Sequence, residues 1–525
     1  MKNIKFISTI NAVYITALMV ISYRLTNTIN NHWDIIAADE LSYLKFGKNI
    51  IENPRFDWGF LYNLWYKFLS FFQYNTVDLY YFNYKVLITI IPVLLFICLL
   101  VYKVNTFIAF VISYLYLISK LHVTTWPFVS DFCIVLILSF FIIIHFIKEI
   151  AWKSVLLTFF SFLLYLVRPE YMAAFILSFF FSIYYNRKNK AGWILLFVML
   201  TLLIYVGDKT SKVSGLDRGF FAYAQHYVIT YKIWNKGTSL DFYQYIDLAP
   251  KIFGKSFTLI GSIIYNPLEA IRHVVTCIGF YVLTFLKSME DFLVPSVWTQ
   301  VLGKFRHLLL LVILLIGFLI FRKSKTNNVI NGNKFFLFSI FVFFLGGVIS
   351  NFIIGYNPHY FQLHFILYIL MFCKVLLSNT TFKVNNFLSL LVFLLTVIFV
   401  PKISNYPLQQ VDFKESKNLP VQKLALILNE MNDNKKHCLL AFQTNLNYIV
   451  EGNNFSGIDV FSIDKPFLQF IKNKNVDFIY INEQIKKDER LVKDKEWKIF
   501  IANPEYYNFR RQEIKNSKNY LLIKD

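Results

Sequence analysis

Long, unbroken apolar runs restrict what this chain can become more than any other feature of its sequence. "FISTINAVYITALMVISY" (6–23), "VLITIIPVLLFICLLVY" (86–102) and "HLLLLVILLIGFLIF" (307–321) each approach the roughly 20 residues that cross a hydrocarbon core. A backbone inside lipid must satisfy its own hydrogen bonds, which leaves helices and closed barrels. Barrel strands alternate apolar and polar residues, whereas these runs are continuous, so helices are expected. Only 16% of the 525 residues are charged, well below the level usual in soluble domains. The chain reads as a multi-pass α-helical membrane protein.

Setting the runs against their charged breaks gives about eleven spans. They fall near 5–23, 85–102, 105–120, 130–147, 152–167, 170–185, 191–206, 305–321, 334–355, 361–378 and 385–400. One further run, "RHVVTCIGFYVLTFLKSMEDF" (272–292), carries charge at both ends. Counting it as a span would put the basic loop "FRKSKTNNVINGNK" (321–334) outside. As a helix lying in the interface it leaves that loop inside, together with "NRKNKAG" and "SNTTFKVNN", which is where lysine and arginine concentrate. An interfacial helix is therefore expected here. The same parity places the N-terminus in the cytoplasm and puts a first loop (24–84), a middle loop (207–271) and the tail outside. A transmembrane domain over 1–400 and an extracytoplasmic domain over 401–525 follow.

The tail is charged and changes period. "LPVQKLALILNEMND" reads as an amphipathic helix, and "KHCLLAF", "VDFIYIN", "EWKIFIA" and "NYLLIKD" read as strands. Helix alternating with strand predicts a small α/β domain. The net charge of +21 suits cytoplasmic loops and anionic headgroups. No basic motif has nucleic-acid geometry, so membrane lipids and not nucleic acid are the expected partners. Cysteine spacing shows neither a disulfide framework nor a thiolate metal site. "MKNIK" before the first run, with no small-residue cleavage site after it, predicts a retained signal-anchor.

Against this apolar background a few charges stand out, and all fall on the outward side. "IIAADELSYLKFGKNI" (35–50) sets Asp39 and Glu40 at the start of a short helix, where acids face the positive dipole end. Its Leu41 and Leu44 are then free to lie on the membrane. "DWGFLYNLWYKFLSFF" (57–72) follows as an aromatic helix anchored at the interface by Trp and Tyr. Asp131 opens a span and can cap it. Arg168 and Glu170 flank Pro169 in "LLYLVRPEYMAAFIL"; proline explains the turn, but charges beside hydrocarbon need partners. His359 and Tyr360 sit at the mouth of a late span in "GYNPHYFQLHFILY". An acidic cluster with an arginine at one membrane face matches sugar transfer from a lipid-linked phosphosugar. A carboxylate takes the proton of the attacking hydroxyl. The departing phosphate needs cationic stabilisation, which a guanidinium fork supplies.

In order along the chain, "ADELSYLKFGKNI", "DWGFLYNLWYKFL", "VSDFCIVLILSFF", "LVRPEYMAAFIL", "NPLEAIRHVVTCIGFYVLTFL" and "NPHYFQLHFIL" resemble the GT-C superfamily of polyprenyl-phosphate-sugar glycosyltransferases. Protein O-mannosyltransferases and the lipid A aminoarabinose transferase are members. The resemblance implies a GT-C-like bundle with interfacial helices and an α/β tail at the outer face of a bacterial inner membrane. It implies an inverting transfer from a polyprenyl-phosphate-linked sugar to a lipid, glycan or protein acceptor. Asp39 takes the place of the catalytic base, Glu40 of its companion, and Asp131 of a second acid bearing on acceptor or metal. Arg168 meets the lipid phosphate, and Glu170, His359 and Tyr360 fall at the substrate. His359 departs from the arginine or lysine common at the late turn. A divalent cation, Mg or Mn, stays open as a cofactor, although no oxygen cage is legible. A surface-polysaccharide polymerase or ligase, a transporter and a non-catalytic assembly protein stay open as well. Against the first stands the acidic first loop; against the second, the absence of repeats and of charges at mid-membrane.

Overall fold

The computed structural model describes residues 9–36, 39–56, 59–124, 126–210, 218–236, 245–254, 258–295, 303, 305, 333–355, 358–377, 386–406, 418–433, 435–442 and 444–525. The chain is mostly helical, and among the described residues the strands are confined to the tail. Among the described residues, five helices are long and apolar enough to cross a membrane by length and composition: Thr76–Val101, Val129–Phe146, Ile150–Val167, Pro267–Leu293 and Lys334–Ile354. Shorter apolar helices occupy Thr106–Ile118, Lys190–Val206, His359–Val375 and Ser389–Ile398. The span expected at 305–321 lies, apart from Phe305, outside the described residues.

Side-chain caps set where two of the apolar helices begin. Asn75 accepts hydrogen bonds from the Val77 and Asp78 amides, and Asn105 from those of Phe107 and Ile108, which satisfies first-turn donors that have no partner within the helix. Thr76–Val101 and Thr106–Ile118 then run back to back. The chain that follows returns to where Thr76–Val101 started. Tyr84 donates to the Thr124 carbonyl at 2.5 Å, and the His122 ring lies 3.1 Å from the Ile88 carbonyl. Asp131 and Gln362, at the heads of two further helices, are bonded to each other at 2.8 Å. Residues 39–40, 83–84, 122–131 and 359–362 thus gather at one end of the bundle.

The helix Pro267–Leu293 is about 40 Å long at 1.5 Å per residue, yet partners along its length lie near that same end. His273 lies 3.1 Å from the Ile354 carbonyl, the last residue before the late turn. Tyr281 bonds His364 and Tyr368 at 2.9 Å each. Asp291 accepts the Lys120 amide at 2.7 Å, and Phe292 packs on Phe365 at 5.5 Å. Length and composition alone would let this helix cross a membrane, but its contacts run across the other helices. Its far side carries exposed Leu268, Ile271, Val275, Val282 and Leu286, an apolar stripe at helical spacing.

The tail builds one five-stranded sheet in the order β2-β1-β3-β5-β4, with β1 His437–Ala441, β2 Phe455–Asp459, β3 Phe478–Ile481, β4 Phe509–Glu513 and β5 Tyr520–Lys524. β1 pairs in parallel with β2 and β3, and β5 is antiparallel to β3 and β4. "EWKIFIA", read above as a strand, is a helix (Lys495–Ala502). Asp494 caps it through the Glu496 and Trp497 amides, and Trp497 and Phe500 enter the core three residues apart. Strands β2 and β4 carry no strong alternation in sequence, and they form the two edges of the sheet.

The first loop is the seat of the tail. Asp34 accepts the Val421 and Gln422 amides at 2.8 and 3.0 Å, capping the helix Pro420–Glu430. Lys48 and Glu451 pair at 2.6 Å, and Glu451 also accepts the Thr76 amide. Within the loop, helix Asp39–Lys48 packs on helix Phe60–Leu69, and Leu41 and Leu44 are fully buried. They do not lie on the membrane as expected, because the second helix covers that face. Gly47 permits the close approach: a Cβ there would stand 2.5 Å from the Tyr66 Cβ and 2.7 Å from the Asn63 carbonyl oxygen. Gly47→Ala should destabilise the protein by about 1–3 kcal/mol, read as a lower melting temperature in detergent. An unchanged melt would mean that the two helices are free to separate.

Candidate active site

The first loop contributes an acidic pair whose members live in different surroundings. Asp39 opens its helix and is exposed, whereas Glu40 is 3% exposed. Two phenols of the second loop helix reach Glu40 Oε1, Tyr62 at 2.6 Å and Tyr66. Asn83, two turns into the helix Thr76–Val101, donates to both phenol oxygens at 2.8 Å and lies 3.2 Å from Oε1. Burial raises the Glu40 carboxyl to about 8; the two tyrosine hydrogen bonds oppose the rise, and nearby Asp131 and Asp39 add to it. The sequence presents Tyr62 and Tyr66 as interfacial anchors. Both are instead fully buried, and Phe68, Phe71 and Phe72 hold the exposed side.

Phe132 links this network to the second acid. Its ring packs against Tyr62 at 5.5 Å and Trp65 at 5.3 Å. Next to it, Asp131 is buried with both oxygens engaged. One accepts the Phe128 amide at 3.1 Å, closing the helix start, and the other accepts from Gln362 at 2.8 Å. Asp131 therefore does cap its helix, and it also fixes the late helix against the early one.

Arg168 enters the same neighbourhood from the turn after Ile150–Val167. Its guanidinium donates to Ser130 Oγ at 3.2 Å and pairs with Glu170 at 2.8 Å. The flat face lies 4.2 Å from the Tyr360 ring centre, a geometry that favours a cation over an aromatic face. His359 stacks on Phe128 at 4.6 Å and meets Tyr360 edge-on at 4.1 Å. Asp39 acts electrostatically on both Glu40 and Tyr360. All seven residues singled out in the sequence thus belong to one connected cluster.

Several members carry no sequence signal. Asn83, Ser130 and Gln362 are ordinary polar residues at helix starts, and Tyr62 and Tyr66 look like anchors. His226, on the middle-loop helix Arg218–Trp234, faces Tyr360 at 6.4 Å, and its Cβ rests against Gly355. The loop holding it matches no motif, so only the fold brings it to the site. Among the described residues no group of three or more His, Cys, Asp or Glu side chains is placed to hold a metal ion. The oxygens of Glu40 Oε1 and Asp131 are occupied by phenol and amide donors.

No protein-family model matches the sequence, and no curated protein matches it. Among solved structures, the chain is similar to the archaeal oligosaccharyltransferase AglB from Archaeoglobus fulgidus, in complex with an inhibitory peptide and a dolichol-phosphate. The TM-score is 0.44 and the identity 12%, covering 97% of this chain and 74% of that one.

Proposed function

We propose that this protein is an inverting glycosyltransferase of the GT-C kind. It moves a hexosyl or pentosyl group from a polyprenyl-phosphate donor to a hydroxyl of a lipid, glycan or protein acceptor. The observation that carries the reading is the gathering of an exposed carboxylate, Asp39, and a buried guanidinium, Arg168, in one cluster with Glu40, Asp131 and Tyr360. The acceptor oxygen attacks the anomeric carbon from the face opposite the phosphate. A carbon–oxygen bond forms there as the bond to the phosphate oxygen breaks, and Asp39 takes the hydroxyl proton. The prenyl phosphate leaves as an anion, so it needs no general acid; Arg168 stabilises its developing charge. Asp131 and Glu170 hold the late helix and the arginine in register.

In this reading the site faces the outside of a bacterial inner membrane, with about eleven spans, the N-terminus in the cytoplasm and the domain 401–525 roofing the first loop. The apolar stripe of Pro267–Leu293 suits a helix lying along lipid. A strain lacking the protein should accumulate a polyprenyl-phosphate sugar and lose one sugar from an envelope glycan, lipid or glycoprotein. Comparative mass spectrometry of the lipid-linked and envelope fractions reads both. Unchanged lipid-linked sugars alongside unchanged envelope glycans would overturn the proposal.

A further inference from the structure

The hydrogens around Glu40 can be counted. Asn83 Oδ1 accepts from the Trp65 indole at 2.8 Å, and an indole nitrogen can only donate. That bond fixes which end of the Asn83 amide is nitrogen. Its two N–H groups are then directed at the Tyr62 and Tyr66 oxygens at 2.8 Å, with Glu40 Oε1 a more distant third acceptor at 3.2 Å. Each phenol has one hydrogen left, and both go to Glu40 Oε1. Among the described residues no donor reaches Oε2. A carboxylate spreads its charge over two oxygens and wants donors at both, whereas a carboxylic acid wants them at its carbonyl oxygen and brings its own hydrogen on the other.

Among the described residues, the charged and titratable groups that act on Glu40 supply no countercharge. They are Asp39 on its own helix, Tyr62 and Tyr66 on the second loop helix, Tyr80 on Thr76–Val101, and Asp131 on Val129–Phe146. Each is an acid or a phenol, and Glu40 is 3% exposed. An anion there would find no cation among the described groups that act on it.

We propose that Glu40 works as a neutral carboxylic acid, a positioning residue with its proton on Oε2 and its Oε1 locked by Tyr62 and Tyr66, so that the acidic pair presents one negative charge, on Asp39. Burial acts in the same direction and raises the carboxyl to about 8. The protonation stands on the geometry alone; the consequence for transfer rests on the function proposed above. Once ionised, Glu40 would set a second charge on the same helix turn and repel Asp39. It would also break the single-oxygen pattern that holds Asp39–Lys48 against the second helix.

Infrared difference spectroscopy of the full chain in detergent, wild type minus Glu40→Gln, tests the protonation directly. At about pH 6.5 the difference should contain the carbonyl band of a protonated carboxyl, and by about pH 9.5 carboxylate bands should replace it. Carboxylate bands already present at the lower pH would overturn the proposal. In a transfer assay with the prenyl-phosphate sugar that accumulates in the deletion strain, Glu40→Ala should lose about tenfold or more. Glu40→Gln should recover most of that loss and lack the wild-type decline above about pH 8. A folded but inactive Glu40→Gln would overturn the positioning role. Should the wild type transfer no sugar while the protonated band is present, the proposed function falls and the neutral acid stands.

Discussion

Asp39→Asn is expected to lower the transfer rate by about 10²–10⁴-fold, the range that a positioned general base contributes and equivalent to about 3–5 kcal/mol of barrier. The substitution is nearly isosteric and takes away the one property the mechanism needs, an oxygen able to accept the acceptor's proton. Little else should change. Asp39 is exposed at the first turn of its helix, where the change takes away a favourable charge at the dipole's positive end. Glu40, which ties that turn to Tyr62 and Tyr66, stays in place. Arg168 keeps its contacts with Ser130 and Glu170, which the change does not touch. Donor lipid should therefore bind as before, and melting in detergent should shift little. Measured with purified protein and the accumulated donor, a wild-type rate in Asp39→Asn would remove Asp39 from the mechanism. Lost donor binding would instead show that the carboxylate holds substrate and does not move a proton.

How much of this was legible beforehand depended on whether a property is local or depends on contact. Apolar runs such as 86–102 and 130–147 announce their helices because length and composition are local. The gathering of Asp39, Asp131, Arg168 and His359 at one end was legible too, since counting spans is enough to assign sides. Packing was not. Leu41 and Tyr62 read as residues for the membrane surface because nothing in their own helices says that the other helix covers them. "EWKIFIA" alternates well enough for a strand, and only the cap from Asp494 together with the Trp497–Phe500 face makes it a helix. The Glu40 cradle was invisible for the same reason: Tyr62, Tyr66, Trp65 and Asn83 come from two helices, and their hydrogens are accounted for only once those helices touch. His226 reaches the site from a loop with no motif at all.

Arg168 offers the second large effect, and it needs a design that separates binding from folding. Arg168→Ala should lower kcat/KM by about 10²–10³-fold through lost stabilisation of the phosphate. Arg168→Lys should lose less, about tenfold, because the charge survives while the planar fork does not. The guanidinium, however, also pairs with Glu170 at 2.8 Å and lies beneath Tyr360, with 6% of its surface exposed. Removing one member of a buried pair leaves the other charge stranded, at a cost of about 3–5 kcal/mol, so a loss of activity in Arg168→Ala alone could reflect the fold. Glu170→Gln removes the stranded charge and keeps a side chain of the same shape. The double variant Arg168→Ala with Glu170→Gln should melt close to Glu170→Gln and still bind the prenyl-phosphate donor far more weakly. Recovery of donor binding in the double variant would show that Arg168 served only to neutralise Glu170. Persistent loss, in a protein that melts normally, would place the guanidinium at the phosphate. Equal losses in the alanine and lysine variants would point to the fork's shape and its seat on Tyr360, rather than its charge, as what the donor requires.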